Sequence, residues 1–210
     1  MIPYEWQHAH HSKTVIVANH FQNENCHRDG KIKVGIAQDA SWREERLENA
    51  KRLFAAARAI GVPIVHVRLA VRSDFKGLAD NTPIFRQWVE LGAWQEGSWG
   101  VEFIEGLEPL VDEVVVTHTR NSAFHGCDLP DVLIGLGAET LVFCGVSTAY
   151  TVESSVRHAT DVGYDVMVAS DACSTATQDQ HYAALRAMSL LADIQEVDDI
   201  IALWDTQKTG

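Results

Sequence analysis

The stretch of sequence that decides the fold lies between residues 114 and 175 and consists of three runs. They read VVVTHTRNSAFHGCDL (Val114–Leu129), LVFCGVSTAYTVESSVRHA (Leu141–Ala159) and GYDVMVASDACST (Gly163–Thr175). Each run carries, at or near its start, a short apolar segment that is rich in β-branched residues. Continuous apolar segments of this length predict strands in a sheet that is covered on both faces.

The alternation of strands and helices extends along the rest of the chain. The predicted strands are Thr14–Asn19, Pro63–Arg68, Glu113–Thr117, Thr140–Cys144 and Tyr164–Ala169. The predicted helices are Ser41–Ile60, Asp131–Leu136, Tyr150–Val162, Gln178–Ala192 and Val197–Trp204. Ser41 and Glu44 are predicted to form a capping box at the start of the first helix, and Gly61 to end it. The alternation predicts a three-layer α/β/α fold with a mostly parallel, Rossmann-like central sheet.

Residues 1–210 are expected to form a single domain, because the chain contains no repeat, no low-complexity segment and no linker. Residues 71–100 are the least regular part, with Pro83, several glycines and several aromatic side chains. A long excursion of this kind usually serves as a lid or as an interface arm. A satellite hydrophobic cluster is the alternative interpretation.

Composition argues against several classes of partner. The formal net charge of −12 would repel the phosphates of nucleic acids and of anionic membranes. No apolar run approaches the roughly 20 residues that cross a bilayer, and MIPYEWQHAHHSK (residues 1–13) has no signal-peptide core. The four cysteines form no CxxC pair, so we expect reduced thiols in a cytoplasmic protein. Cys26, which follows the first predicted strand, is the thiol that we would test for reactivity.

Segments that carry polar residues lie at or just after the ends of three predicted strands. They are Asn19–His20, Thr117–His118 and Gly145–Thr148. Because ligands of parallel sheets bind at the carboxyl ends of the strands, these residues are expected to meet at one edge and to form a site for a small molecule. His8, His10 and His11 also resemble a metal-binding pattern, but they lie near the N-terminus and are not assigned to a site.

The three runs resemble segments of the isochorismatase-like cysteine hydrolases. The most specific parts are TRNSAF with GCDL in the first run, and GVST followed by VESSVRHA in the second. Further segments of similar sequence are Val15–Gly30, His66–Phe75 and Gly97–Glu113, so the likeness covers nearly the whole chain. The resemblance implies the isochorismatase-like hydrolase fold and a homo-oligomer, either a dimer or a tetramer.

The resemblance also implies three catalytic positions, and this chain carries a different residue at each. His20 stands where the family has an aspartate when Gln22–Asn23 are aligned without a gap, whereas a shift of one residue would place Asn19 there. His118 stands in place of a lysine, and Thr151 in place of the nucleophilic cysteine. In the family the thiolate attacks a carbonyl while the aspartate transfers protons. A threonine hydroxyl is a far weaker nucleophile and needs an adjacent base.

The segment GVST resembles the oxyanion turn of the family, in which a non-proline cis peptide helps to aim backbone N–H groups at the substrate oxygen. We expect its residues to bind the substrate, namely Gly145, Val146, Ser147 and Thr148. Aromatic side chains are expected to line the same pocket, namely Phe21, Trp94 and Trp99.

These residues together predict a hydrolase that acts on a small carbonyl- or ether-containing molecule without a cysteine nucleophile. His20 and His118 would be its acid–base pair, because imidazole titrates near neutral pH. One alternative is a catalytically inactive, small-molecule-binding homologue. Another is an enzyme of a different reaction class, in which the two histidines and a carboxylate such as Glu24 or Glu153 bind a metal ion. The preferred hypothesis includes no metal and no other cofactor.

Overall fold

The computed structural model describes residues 13–36 and 39–207. The histidine-rich run near the N-terminus, with His8, His10 and His11, lies outside the described residues. Within the described part, six strands form one parallel sheet that is flanked by helices. The α/β fold with a parallel central sheet that the sequence predicts is therefore confirmed.

The strands are β1 (Thr14–Asn19), β2 (Ile64–Leu69), β3 (Val114–His118), β4 (Thr140–Val146), β5 (Asp165–Ser174) and β6 (Asp193–Gln195). Their order across the sheet is β3-β2-β1-β4-β5-β6, and all neighbours pair in parallel. The chain therefore leaves β1 in one direction towards β2 and β3, and later fills the other side with β4, β5 and β6. Such a reversal creates a crevice at the carboxyl ends of β1 and β4, where ligands of open parallel sheets bind.

The helices are α1 (Asn23–Cys26), α2 (Ala40–Ile60), α3 (Pro83–Leu91), α4 (Leu129–Gly135), α5 (Glu153–Asp161), α6 (Gln178–Met188) and α7 (Val197–Gln207). A π-helical turn, Thr148–Val152, leads directly into α5. Of the described helices, none is both long and apolar enough to cross a membrane.

Helix α2 begins one residue earlier than predicted, and the predicted capping box is wrong. Asp39 is the N-cap, because its Oδ1 accepts hydrogen bonds from the backbone N–H groups of Ser41 (2.9 Å) and Trp42 (3.3 Å). Ser41 lies inside the helix, and its hydroxyl donates to the same carboxylate oxygen. The carboxylate thus satisfies N–H groups that have no partner within the first turn. Gly61 ends the helix as predicted, with a φ of +76°.

The excursion at residues 71–100 has a small hydrophobic core of its own. This second cluster, beside the main core around the sheet, consists of Ile32, Leu69, Ala70, Val71, Phe85, Trp88, Ala93, Trp94 and Val101. Helix α3 contributes the buried side chains of Phe85 and Trp88. The excursion is therefore packed against the carboxyl end of β2, which agrees with the satellite cluster. Opening of this segment as a lid stays a prediction.

Candidate active site

Strand β1 brings His20 to the crevice between β1 and β4. The strand ends at Asn19, whose Nδ2 donates to the Cys144 carbonyl of β4 (3.2 Å), so this side chain links the two strands. His20 follows in a left-handed conformation with a φ of +52°, which is uncommon for a residue other than glycine. Of the two registers that the sequence leaves open, the structure places His20 in the site.

Three buried side chains form a hydrogen-bonded row in this crevice. Nε2 of His20 lies 2.5 Å from Nε2 of His118, the last residue of β3. Nδ1 of His20 lies 3.4 Å from Oγ1 of Thr151, and Nδ1 of His118 lies 3.1 Å from the carbonyl oxygen of Ser122. The three side chains of His20, His118 and Thr151 are at most 5% exposed. The structure thus brings together the three residues for which the sequence predicts catalytic roles.

The carbonyl at the end of the row fixes the hydrogens on both rings. A carbonyl can only accept, so His118 carries its hydrogen on Nδ1, and Nε2 of the neutral ring is left with a lone pair. The contact between the rings then requires that His20 donates through Nε2. Neutral His20 therefore presents the lone pair of Nδ1 to the hydroxyl of Thr151. This order of hydrogens allows the row to remove a proton from that hydroxyl.

Burial keeps both rings neutral near pH 7. It lowers the pKa of His118 to about 4, although the Ser122 carbonyl favours the protonated ring. Burial and the neighbouring His118 lower the pKa of His20 well below its usual range, and the Val146 carbonyl opposes this shift. Because the two rings share a hydrogen bond, the first proton that they take up belongs to the pair.

The turn after β4 forms the opposite wall of the site. The peptide bond between Val146 and Ser147 is cis, as the family resemblance implies. The Ser147 carbonyl accepts hydrogen bonds from the N–H groups of Tyr150 (3.2 Å) and Val152 (3.1 Å), which winds the chain into the π-helical turn. Thr151 lies on this turn, and its hydroxyl is thereby directed towards His20.

A narrow cavity lies beside the row. The predicted site residues that line it are His20, Trp94, Val146, Ser147 and Thr151. Lining residues that the sequence did not predict are Asn25, Ile32, Val34, Gly35, Leu69, Ile84, Trp88, Asn121 and Tyr150. Asn25 and Asn121 lie within segments that resemble the family, so their polar side chains could have been selected from the sequence as candidate site residues. The apolar residues among them reach the cavity through tertiary packing, which no local pattern reveals.

Two aromatic residues with predicted binding roles lie away from the cavity. Phe21 packs its ring edge-on against Phe54 of α2, with 5.8 Å between ring centroids, and belongs to the main core. Trp99 is 47% exposed, and its ring contacts His27 at the surface. Their aromatic character led to the prediction that they line the pocket, but aromatic side chains also fill cores and lie at surfaces. The structure therefore does not bring Phe21 and Trp99 to the site.

Gly145 and Thr148 also lie outside the cavity lining, and they support the turn from behind. A Cβ atom on Gly145 would lie 2.0 Å from the Asn19 carbonyl oxygen, so only glycine fits beside β1 at this point. Thr148 Oγ1 lies 2.9 Å from Nδ1 of His181, a buried residue of α6. Both residues shape the site without lining the cavity.

Glu24 holds Trp94 against the site. The ring centroid of Trp94 lies 6.1 Å from that of His20. The backbone N–H of Trp94 donates to Glu24 Oε2 (3.0 Å), and the backbone N–H of Lys31 donates to Oε1 (2.9 Å). Each oxygen of this buried carboxylate therefore accepts a backbone hydrogen bond, which ties α1 to the excursion.

The carboxylates that the sequence offered as metal ligands have other partners. Glu24 binds backbone N–H groups, and Glu153 accepts a hydrogen bond from Arg157 (2.8 Å). Within residues 13–36 and 39–207, no group of three or more His, Cys, Asp or Glu side chains is arranged to hold a metal ion. The thiol of Cys26 is buried, and burial raises its pKa to about 12, so it is not a reactive thiolate near neutral pH.

Comparison with known proteins identifies relatives of the whole architecture. The family model of the isochorismatase domain matches residues 14–199. The uncharacterized isochorismatase family protein YwoC of Bacillus subtilis is 36% identical over 138 residues, which cover 66% of this chain and 71% of YwoC. The ureidoacrylate amidohydrolase RutB of Agrobacterium fabrum is 27% identical over 173 residues, which cover 77% of this chain and 75% of RutB. A solved cysteine hydrolase from Pseudomonas syringae pv. phaseolicola has a TM-score of 0.84 at 22% identity, with 94% of each chain covered, and shares the fold.

Proposed function

Since the chain belongs to the isochorismatase family of hydrolases, we propose that it hydrolyses a small carbonyl- or ether-containing molecule without a cysteine nucleophile. The observation that carries the proposal is the hydrogen-bonded row from Thr151 through His20 and His118 to the Ser122 carbonyl. The row gives the hydroxyl an adjacent base, which a threonine nucleophile requires. It also gives that base a second ring, which can take over the proton.

With a carbonyl substrate, the reaction begins at the hydroxyl of Thr151. Its oxygen adds to the carbonyl carbon, the π electron pair moves to the carbonyl oxygen, and the hydroxyl proton passes to Nδ1 of His20. The Nε2 proton of His20 moves to Nε2 of His118, whose charged ring continues to donate to Ser122 through Nδ1. Backbone N–H groups of the turn after β4 would stabilise the oxyanion. The oxyanion then re-forms the carbonyl as the bond from its carbon to the leaving group breaks, and the row returns the proton to that group. Water, activated by the same row, adds to the acyl ester on Thr151, and the ester bond breaks to release the acid and restore the hydroxyl.

The Val146 carbonyl supports this use of His20 as a base. It favours the protonated ring of His20, against the burial that lowers the pKa. A carbonyl near an imidazole favours the charged ring, because it can accept a hydrogen bond from that ring but cannot donate one. The Val146 carbonyl therefore offsets part of the cost of charging His20 in a buried site.

A small amide or ureide is the first substrate class to examine. RutB is named as an amidohydrolase that acts on ureidoacrylate, and we extend only the bond type, not the substrate, to this chain. The cavity is narrow and combines polar with aromatic lining, which suits a small planar carbonyl group. Vinyl ethers are the second class; for them the pair would first have to take up a proton and then deliver it, so this activity would rise towards low pH.

A shared metal ion would need further ligands beside His20 and His118. In the part of the chain that the structure describes, no group of three or more His, Cys, Asp or Glu side chains is arranged to provide them. Metal analysis of protein that is purified without a histidine tag tests this alternative directly.

The proposal is tested by His20→Ala and His118→Ala on a panel of small amides, ureides and vinyl ethers. We expect kcat/KM to fall about 10²–10⁴-fold in each variant, which is the usual contribution of a positioned acid or base. His27→Ala is the matched control, because His27 is partly exposed and contacts Trp99 outside the row. Undiminished rates in both variants would refute the role of the row. Binding of a panel member without turnover would identify an inactive, small-molecule-binding homologue.

A further inference from the structure

Ser147 lines the cavity, and its hydroxyl belongs to a chain of polar groups behind the cavity wall. Ser147 is 6% exposed, and its Oγ lies 2.5 Å from Oγ1 of Thr175. Thr175 is fully buried, and its Oγ1 lies 3.3 Å from the carbonyl oxygen of Val34. The chain of groups therefore ends at an atom that can only accept a hydrogen bond.

One arrangement of hydrogens satisfies all three groups. If Thr175 donates to the Val34 carbonyl, Ser147 must donate to Thr175, and the single hydrogen of each hydroxyl has a partner. In the reverse order, the contact with Val34 would have no hydrogen, and the Ser147 hydrogen would point into the cavity. Buried polar groups without partners are strongly disfavoured. The first arrangement is therefore the stable one.

We propose that Ser147 is a specificity-determining residue that accepts a hydrogen bond from an N–H or O–H group of the ligand. Because its own hydrogen is committed to Thr175, the hydroxyl can offer a ligand in the cavity only a lone pair. Thr175 is a positioning residue, because it sets the direction of the Ser147 hydroxyl without lining the cavity. This inference rests on the proposed function in one respect, namely that the cavity is the substrate site.

Asn25 offers the opposite polarity to the same cavity. Its side chain is 3% exposed, and its Oδ1 lies 3.6 Å from the sulfur of Cys26, a thiol that also lies 3.5 Å from the His20 carbonyl oxygen. Asn25 lines the cavity, and its amide Nδ2 group is a donor that a ligand carbonyl can use. A ligand with both a carbonyl oxygen and an N–H group pairs with Asn25 and Ser147. A ketone or an ether lacks the hydrogen that Ser147 requires.

Acetamide and acetone are matched probes for this polarity, because they have the same shape and only acetamide carries N–H groups. Each is titrated into the isotope-labelled protein, and affinity is read from NMR chemical shifts. We expect acetamide to bind about 2- to 10-fold more tightly, the contribution of one neutral hydrogen bond. Proton spectra of the same samples show any conversion to acetate. Preferential binding without conversion would support the role of Ser147 and count against the proposed hydrolysis.

Three variants complete the test. Ser147→Ala should bind both probes equally, because the acceptor is gone. Thr175→Val keeps the shape but frees the Ser147 hydrogen, which can then donate to the acetone oxygen, so the preference should fall. Thr175→Ser is the matched control and should keep the preference, because it keeps the hydroxyl. Equal or undetectable binding of the probes to the unchanged protein would overturn the proposal, as would a preference that survives Ser147→Ala or Thr175→Val.

Discussion

The hydroxyl of Thr151 is the group that distinguishes two forms of the proposed reaction. Its Oγ1 lies 3.4 Å from Nδ1 of His20. From this position it can act as the nucleophile, or it can form a hydrogen bond to a water molecule that acts as the nucleophile. If it is the nucleophile, Thr151→Val should lower kcat/KM by at least about 10²-fold, since His20 loses the group that it activates. Thr151→Ser should retain most of the activity, because it keeps the hydroxyl.

Mass spectrometry of the protein during turnover provides the complementary measurement. An acyl group on Thr151 adds its mass to the unchanged enzyme and to Thr151→Ser, but not to Thr151→Val. Full activity of Thr151→Val without any adduct would assign the attack to water. The role of His20 as a base would then be unaffected.

The two low histidine pKa values predict an unusual pH profile. The row works only while the pair is neutral, and burial lowers the pKa of His118 to about 4 and that of His20 well below its usual range. Activity is therefore present above these pKa values and is lost as the pH falls through them. We expect kcat/KM to stay level from about pH 8 to pH 5.5, well below the unperturbed histidine pKa of about 6.5. An acid limb centred near pH 6.5 would show that the rings are more solvated than the structure indicates.

At the level of single residues, the sequence indicated the row but not its direction. Strand ends and motif positions were enough to select His20, His118 and Thr151. The direction of proton transfer depends on the Ser122 carbonyl, a backbone atom that carries no residue-specific signal. For Phe21 the sequence did not indicate the location of the side chain, because an aromatic ring fits a pocket and a core equally well.

At the level of secondary structure, the end of β4 and the turn that follows it require a residue without a Cβ atom at position 145. A Cβ atom there would meet the Asn19 carbonyl oxygen at 2.0 Å, and the φ of +117° is itself unfavourable for alanine. We expect Gly145→Ala to lower the free energy of unfolding by more than about 4 kcal/mol, among the largest effects of single substitutions. Urea unfolding followed by circular dichroism measures this loss.

Gly163→Ala is the matched control for this measurement. Gly163 also has a positive φ, +99°, but a Cβ atom there would meet no heavy atom within 4 Å. Gly163→Ala should therefore lower the free energy of unfolding by only about 1–3 kcal/mol, the cost of the unfavourable backbone conformation. Similar losses in the two variants would mean that β1 can move away from β4, contrary to the close approach at Asn19.

The elements that the sequence predicted are those with a strong local pattern. Strand β1 was predicted with its observed bounds, because its apolar run is sharply bordered by polar residues. Strand β5 continues to Ser174, five residues beyond the predicted end at Ala169, since the polar pair Ser170–Asp171 interrupts the pattern. Helix α3 was not predicted, because aromatic residues lie on both sides of it and obscure its helical pattern. Which of its side chains are buried depends on how the whole excursion packs.

At the scale of the whole molecule, strand order explains why a site can form from distant segments. His20 and His118 are 98 residues apart in sequence and are brought into contact by the carboxyl ends of β1 and β3, on either side of β2. Thr151 arrives from beyond β4, on the opposite side of β1. The rule for ligand sites in open parallel sheets could place all three at one edge. It could not supply the distances, because these depend on packing against the excursion.

The burial of neutral histidines in this molecule should also make its stability sensitive to acid. Burial lowers the pKa of His118 to about 4, and burial with nearby Arg46 lowers that of His181 to about 4. In the unfolded chain both rings titrate near pH 6.5. Between these values the unfolded state binds more protons, so the free energy of unfolding falls as the pH drops from about 6.5 towards 4.

The expected loss is large enough to measure by urea unfolding at pH 7.5 and pH 5.0. Between pH 7.5 and pH 5.0, each ring should lower the free energy of unfolding by about 2 kcal/mol, or about 4 kcal/mol for the two together. This is a substantial part of the 5–15 kcal/mol that stabilises a typical domain. His181→Asn keeps a polar partner for Thr148 but cannot titrate, so its loss between the two pH values should be smaller by about 2 kcal/mol. The same loss in His181→Asn as in the unchanged protein would contradict the burial of a neutral ring. That result would also weaken the corresponding expectation for His118, because the same physical cause lowers both pKa values.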